Sequence, residues 1–386
     1  MLKIRIAFVH NYCIHYRIPL FLNLLRYFDV DFYFAGVYRT VKRIPQRLKR
    51  KSYILRSIMP IVFSPMLIIH LLRKRYDVYI AGDIQTVNTW ITFIIAKILR
   101  RPFILWEERW FLTKRSRYFW PFMKLIYSKA DAVIVPGKKA YQFAVLCRSK
   151  KNGVFIAPNA SMLTITNRVL EKALNLKQTL FKDKFVILYF GRLEELKGLK
   201  YLIKAFAELE REYNNVSLLI VGDGTLKEEL KDLIIQLRVK NAHLIGHYVE
   251  EEEERALYFL ISDVVVYPSI KETWGLLINE AISVGKPVIT TYTTAAAHDP
   301  ITDGVNGLII PPRSIEYLKR ALIEIMRNYG KISHSSKKKA MILIKKYNYI
   351  SQTKGFIDAV HYLLRTRKFN ISIDKNYYRK SKTMYV

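Results

Sequence analysis

Short β-branched and aromatic runs alternate with longer helical patterns from one end of this chain to the other, and that alternation limits its fold more than any other feature. Such repetition calls for βαβ units, with parallel sheets covered by helices. In the first part the apolar runs are IRIAFV, VDFYFAG, VYIAG, FILW, AVIVPG and VFIAPN, the last ending near Asn159. A polar, helix-prone stretch from Met162 to Lys184 follows, and then a second series: VILYFG, SLLIVG, AHLIG, VVVYP, VITT and GLIIP. Two doubly wound, Rossmann-like domains are the economical outcome. Sheets of this kind bind ligands outside the carboxyl ends of their strands, so the cleft between the two domains is the expected site. From Ser314 onward the pattern is helical, with Ile350 to Leu364 a final helix.

A chain of 386 residues, 51% hydrophobic and 25% charged, folds around a core and is not disordered. Its formal charge of +32 is unevenly spread: residues 1–160 hold 29 Lys/Arg against 7 Asp/Glu, a net of +22 that leaves +10 for the rest. The first half therefore expects an anionic partner, either a phosphate-rich membrane or nucleic acid. Eight basic residues and no acid lie between Arg39 and Arg56, and Ile54 to Leu72 is nearly all apolar. Arg56, Pro60, Pro65 and His70 interrupt that tract. It predicts a basic, apolar helical surface lying on a membrane rather than crossing it, although a core helix behind a charged loop accounts for the same residues. Cys13 and Cys147 lie far apart and outside any CxxC spacing, which predicts neither a disulfide framework nor a zinc site and fits a reducing cytoplasm. No secretory signal is read after Met1.

The loops after the second series of strands carry the chemistry. VILYFGRLEELKG sets Gly191 and Arg192 after a strand, and Lys197 with Gly198 where a helix begins. Two cations at a helix start make an anion site suited to a diphosphate, since backbone N–H groups and the helix dipole act with the side chains. LLIVGDGTLKEEL places Gly222 and Gly224 in the next such loop, with neither a full GxGxxG nor a GK[ST]. Those glycines form a tight turn or let a nucleotide approach the backbone. In KETWGLLINEAISVGKPVI, Glu272 follows a buried strand and Trp274 to Val284 has helical spacing that stops at Gly285. Glu280 lies four residues after Leu276, on the same face, in an otherwise apolar run. A buried carboxylate there needs a partner.

These residues resemble the EX7E signature of retaining glycosyltransferases: Glu272 and Glu280 are separated by seven residues, with Gly275 between them and GKPVI after them. The order FGRLEELKG, VGDG, KETWGLLINEAISVGKPVI, DGVNGLIIPP is similar to the nucleotide-sugar domain of family 4, of the GT-B fold, over about residues 155 to 330. HYRIPLF near the start resembles a subgroup that assembles surface polysaccharides. The resemblance implies an α/β GT-B chain of two Rossmann-like domains around a central cleft. On that reading residues 1–160 bind acceptor, 161–345 bind the nucleotide sugar, a helix over 346–370 crosses back to the first domain, and 371–386 form a basic tail. It implies that Arg192 and Lys197 neutralise the donor diphosphate in place of a metal. Glu280 would accept the ribose hydroxyls, Glu272 would hold hydroxyls of the transferred sugar, and the N–H groups near Gly275 and Leu276 would face sugar and phosphate. Gly191, Gly222 and Gly224 complete the donor site.

The first half departs from the family pattern. The loop after the first strand reads HNYCIHYR, without glycine, and Tyr16 and Arg17 are expected to take over contacts with acceptor or phosphate, with Asp83 beside them. Where relatives place a histidine, this chain has ILWEERW, so Glu107 or Glu108 fills that role; His10 and His15 are further candidates. Asp29 and Asp31 form a DxD, yet they follow an apolar helix and open a strand, which makes a helix-to-strand turn, and no metal or cofactor is expected. The acidic run Glu250 to Glu254 fits the first turn of a helix.

The expected activity is transfer of a hexose, such as glucose or mannose, from a nucleotide diphosphate to a glycan or lipid-linked acceptor, at the cytoplasmic face of an anionic membrane. A GT-B sugar-nucleotide epimerase uses the same donor site and is the alternative. A nucleic-acid-binding protein would explain the charge but not two carboxylates in a cleft, where they repel phosphate. A dehydrogenase would need a glycine fingerprint after the first strand, which is missing.

Overall fold

The computed structural model describes residues 3–34, 44–55, 63–113, 117–148, 151–249 and 251–366. Residues 39–43 and 56 of the basic tract, residues 56–62 of the apolar tract, Glu250 and the tail 371–386 lie outside the described residues. The first part runs β1 (Arg5–His10), α1 (Ile18–Tyr27), β2 (Asp29–Phe34), α2 (Gln46–Lys49), β3 (Ser52–Ile54), α3 (Pro65–Arg73) and β4 (Val78–Gly82). It continues with α4 (Val87–Ile98), β5 (Phe103–Trp106), α5 (Trp120–Lys129), β6 (Ala132–Val135), α6 (Lys138–Arg148) and β7 (Val154–Ile156). The second part is α7 (Asn167–Leu180), β8 (Phe185–Phe190), α8 (Leu199–Glu212), β9 (Val216–Val221), α9 (Lys227–Gln236), β10 (Ala242–Ile245) and α10 (Glu252–Ile261). After these come β11 (Val264–Tyr267), α11 (Leu276–Ser283), β12 (Val288–Thr291), β13 (Gly307–Ile310), α12 (Ile315–Arg327), α13 (Tyr329–Lys346) and α14 (Tyr349–Thr366).

Two all-parallel sheets result, ordered β3-β2-β1-β4-β5-β6-β7 and β10-β9-β8-β11-β12-β13. The fold is two Rossmann-like α/β domains. Alternation along each strand sends neighbouring residues to opposite faces. Ile6 and Phe8 join a core with Leu20, Phe21 and Phe356, under α1 and α14. Ala7 and Val9 join the other core with Leu67, Met123 and Phe143, under α3, α5 and α6. Phe356 brings α14 onto the first sheet, its ring centroid 5.8 Å from Phe8 and 5.2 Å from Trp106.

One strand escaped the reading by pattern. Ser52–Ile54 is a strand at the sheet edge, and Pro65–Arg73 is a separate helix, so Ile54 to Leu72 is not a single helical surface. Three residues carry too little periodicity to announce a strand among eight cations; pairing with β2 makes it. The helix expected from Trp274 begins at Leu276, because Gly275 takes the left-handed φ of +102° as its N-cap. Among the described residues no helix is long and apolar enough to cross a membrane. Cys13 and Cys147 are buried and form no disulfide.

Candidate active site

In each sheet the strand order reverses next to the first strand of its series, between β1 and β4 and between β8 and β11. Loops leaving those strands part from one another and open a crevice at their carboxyl ends. On the second domain the crevice receives Gly191 to Lys197 after β8 and Pro268 to Glu272 after β11. Lys197 closes a short 3-10 turn, and its Nζ donates to Glu272 Oε2 and, at 3.1 Å, to the Tyr267 hydroxyl. Tyr267 in turn donates to Glu272 Oε2 at 2.6 Å, and the Thr273 amide donates to Oε1 at 3.1 Å. Burial by itself would raise the Glu272 pKa, but the Lys197 charge and these hydrogen bonds outweigh it and hold the carboxyl below its ordinary value. Glu272 is therefore an anion at neutral pH, locked to a cation in a nearly dry position. Burial, reinforced by that carboxylate, raises the Tyr267 hydroxyl well above its usual range and keeps it a donor.

Arg192 lies at the mouth of the same crevice, about half exposed, with Nη1 donating to Glu194 at 2.6 Å. Gly275 and Leu276 begin α11 beside Glu272, and the first amides of a helix have no partner within it. Gly222 and Gly224 have a structural reason of their own. A Cβ at Gly222 would sit 1.8 Å from the Gly191 carbonyl oxygen, and one at Gly224 2.4 Å from that of Leu193. The glycines let the loop after β9 press against the loop after β8, which accounts for them without a ligand.

Glu280 is buried on α11, where Ser161 donates to its Oε1 at 2.7 Å and Arg255 Nη2 forms an ion pair with the same oxygen. Arg255 comes from α10 and reaches His15 Nε2 of the other domain at 3.2 Å. The charge that stood alone in the sequence thus has a cation beside it. Nothing in EEEERALYFL marked that arginine out.

The first domain supplies the opposite wall. After β1, Arg17 stacks on the Trp106 ring at 4.4 Å, reaches both His10 ring nitrogens and donates to Glu108 Oε1 at 2.9 Å. Burial, and then the Arg17 charge, lower the His10 pKa well below its usual value, leaving a neutral ring that can accept from Arg17. Tyr16 lies beside Arg17, half-buried, and burial raises its pKa. The two candidate glutamates separate clearly. Glu107 is buried, accepting from the Ile84 amide at 2.8 Å and the Glu108 amide at 3.0 Å with Arg109 nearby, and burial raises its pKa while Arg109 opposes the rise. It pins the loop after β4 to the loop after β5. Glu108 is partly exposed and faces the cleft elements. Asp83 accepts from Asn11 at 2.8 Å and Arg109 at 3.3 Å.

Residues that the sequence did not flag hold the walls together. Asn159 Nδ2 donates to Glu108 at 3.0 Å, its carbonyl accepts from Asn279 Nδ2 at 2.9 Å and its Oδ1 from Gln352 at 3.3 Å. Trp110 Nε1 donates to the Glu272 carbonyl at 3.0 Å, joining the loop after β5 to the loop after β11. Asn159 had one available signal, its place at the end of VFIAPN; Trp110 had none. Asp29 and Asp31 sit at the opposite edge of the first sheet, bonded to Lys51 at 2.7 Å and Lys74 at 2.9 Å. A concavity of about 720 Å³ lies at that far edge too, lined by Lys3, Arg5, Arg47, Arg50 and Lys51.

Residues 171–342 match the family model Glycosyl transferases group 1. An uncharacterized glycosyltransferase of Methanocaldococcus jannaschii is 34% identical over 222 residues, covering 52% of this chain and 52% of that protein. The alpha-monoglucosyldiacylglycerol synthase of Acholeplasma laidlawii is 32% identical over 222 residues, 55% of this chain and 54% of that one. The chain spans about half the length of these curated relatives. Of the solved structures, Anabaena HepE in complex with UDP and glucose superposes with a TM-score of 0.74 at 17% identity, covering 93% of this chain and 99% of that chain. At that identity the likeness is one of fold. Two parallel-sheet Rossmann-like domains of GT-B architecture thus enclose the cleft, and residues 171–342, the stretch similar to group 1 glycosyltransferases, make up most of the second.

Proposed function

We propose that this chain is a retaining glycosyltransferase, transferring a hexose from a nucleotide diphosphate to a glycan or lipid-linked acceptor without a metal ion. The observation that carries the reading is the Lys197–Glu272–Tyr267 group at the start of α11, inside the domain that matches the family model. A leaving diphosphate gains negative charge in the transition state, so a fixed ammonium and helix amides favour that state over the ground state. Lys197 supplies the ammonium, Arg192 a second cation at the mouth, and the amides of Gly275 and Leu276 the helix end. Glu272, held ionised, accepts from hydroxyls of the sugar. Glu280 accepts from the ribose: an ionised carboxylate has about four lone-pair sites, so two hydroxyls can join Ser161 and Arg255. Across the cleft, Glu108, Arg17, Tyr16 and Asp83 meet the acceptor, and Glu107 positions that wall.

The Acholeplasma relative's name specifies an alpha-glucosyl lipid, and HepE is bound to UDP and glucose, so UDP-glucose is the first donor to test. The experiment is a thermal-stability scan over sugar nucleotides with EDTA present, followed by NMR of the anomeric configuration of the product. One donor is expected to raise Tm by mass action, and Glu280→Ala to abolish that rise. Undiminished stabilisation of the variant would overturn the ribose assignment, and an inverted product the stereochemical one.

A further inference from the structure

Three neighbouring helices on one face of the first sheet are apolar on two sides. Their inner residues, among them Leu67 and Leu71 of α3, Ile95 of α4 and Met123 of α5, are buried in the core. The outer side of a helix that meets water is ordinarily polar. Here Met66, Ile69, Leu72, Ile94, Ile98 and Phe122 are 42 to 69% exposed. Spacings of three and four residues line them up along each helix. The layer is continuous, because α3 packs on α4, and Trp90 of α4 meets Phe119 and Phe122 with ring centroids 6.3 and 6.5 Å apart. Exposed apolar surface of this extent marks a place of contact.

Charge identifies the partner. None of α3, α4 and α5 contains an Asp or Glu. Arg73, Arg75, Arg100 and Lys124 stand exposed on or just beyond these helices, and among the described residues none of them makes an ion pair. Apolar stripes with unneutralised cations around them complement acyl chains beneath anionic headgroups. A nucleic acid would use the cations and leave the stripes in water. We propose that the outer face of α3, α4 and α5 rests on an anionic lipid surface. The apolar side chains enter the boundary between headgroups and acyl chains, and the arginines lie among the headgroups. Each of these helices follows a strand whose carboxyl end is at the cleft, α4 starting four residues after Asp83, so the face runs from the cleft to the far edge of the sheet. This concerns a surface outside the cleft and does not depend on the transfer reaction.

Flotation of the full chain with vesicles tests it, using phosphatidylcholine alone and phosphatidylcholine mixed with phosphatidylglycerol, at low and high salt. Partition is expected into the anionic vesicles only, and to fall with salt. Ile94→Ser/Ile98→Ser and Arg73→Glu/Arg75→Glu should each lower it about tenfold or more. Lys204→Glu on α8 should not change it, and all variants should keep the wild-type Tm. Equal recovery with and without lipid, or double variants that partition like wild type, would overturn the proposal. So would dimerisation through this face, or salt-sensitive retention on heparin by a protein that ignores vesicles.

Discussion

Two sets of outer helices, α8 and α12 on the second sheet and α3, α4 and α5 on the first, cover similar sheets with opposite surfaces, although α13 of the second domain also lacks acids and exposes Met341 and Ile342. In the second domain α8 and α12 face water with mixed charge: Lys319 bonds Glu212 at 2.6 Å and Glu208 at 3.4 Å, and Arg320 bonds Glu316 at 2.5 Å. Between them they expose one large apolar residue, Tyr317. In the first domain α3, α4 and α5 carry no acid and expose apolar stripes. The contrast is one of surfaces, since both domains hold cations inside: in the first, Arg109 pairs with Glu107 and Arg148 donates to the carbonyls of Tyr127 and Ala130. The second domain directs cations to its own interior, Lys197 to Glu272, Arg255 to Glu280 and Lys286 to the carbonyls of Leu260 and Ser262. An unequal division of surface charge thus separates the mixed-charge helices α8 and α12 from α3, α4 and α5, whose exposed cations have no acid on the same helix.

The comparison breaks hardest at Arg255. Replacing it by alanine leaves Glu280 charged, buried and short of a cation, which should cost about 3–5 kcal/mol. Arg75→Ala, at an exposed cation of the other domain, should stay within about 0.5 kcal/mol. Urea unfolding of both variants measures the difference. Similar costs would mean that Glu280 does not depend on Arg255 for its charge. Next comes Lys197→Met, expected to lower kcat by roughly 10²–10³, the usual loss when one preorganised charge is removed from a developing anion. Lys124→Met, assayed with a water-soluble acceptor, should leave kcat unchanged.

The same asymmetry decided what could be read from sequence. In the second domain the residues read from sequence carry a local mark: Lys197 stands beside Gly198 at a helix start, Glu272 after a strand and before Gly275, and Glu280 alone in an apolar run. Backbone geometry enforces those neighbours, so the pattern is local and legible. The first domain offers little of this kind. Choosing Glu108 over Glu107 as the residue facing the cleft required knowing that Glu107 bonds the Ile84 amide, more than twenty residues away. Strand β3 depends on pairing with β2, and Arg255 becomes a partner of Glu280 only when α10 and α11 pack. Interactions made by distant segments leave no spacing in the chain to find.

A smaller effect sharpens the point about internal cations. Lys286, in the GKPVI segment, has its pKa pushed down to about 8, chiefly by burial, with Asp263 opposing and Lys177 and Lys337 adding to the fall. Below that pH the ammonium is charged in both states and its burial weakens the fold. Between about pH 8 and about pH 10.5 the unfolded chain holds the proton that the native chain has lost, so stability rises with pH through this window. The gain should approach about 3 kcal/mol, and Lys286→Met should remove it. Wild-type and variant stabilities that run parallel between about pH 7 and about pH 10 would show that the residue is not linked to folding in this way.

The smallest expected change is the most discriminating one. Exposed substitutions on either helix layer, such as Ile98→Ser or Lys204→Leu, should shift stability by less than about 0.5 kcal/mol, because they disturb neither core nor ion pair. Their surfaces should nonetheless respond differently. Ile98→Ser weakens adhesion to anionic vesicles. Lys204→Leu/Arg320→Leu places an apolar pair on the second domain, yet Glu208, Glu212 and Glu316 remain around it. Those carboxylates are repelled by an anionic surface and stay in water. If apolar area alone governed adhesion, this double variant, tested after Ile94→Ser/Ile98→Ser has removed the native face, would restore partition. Failure to restore it would show that the absence of acids matters as much as the stripes, and would tie adhesion to the charge pattern of α3, α4 and α5.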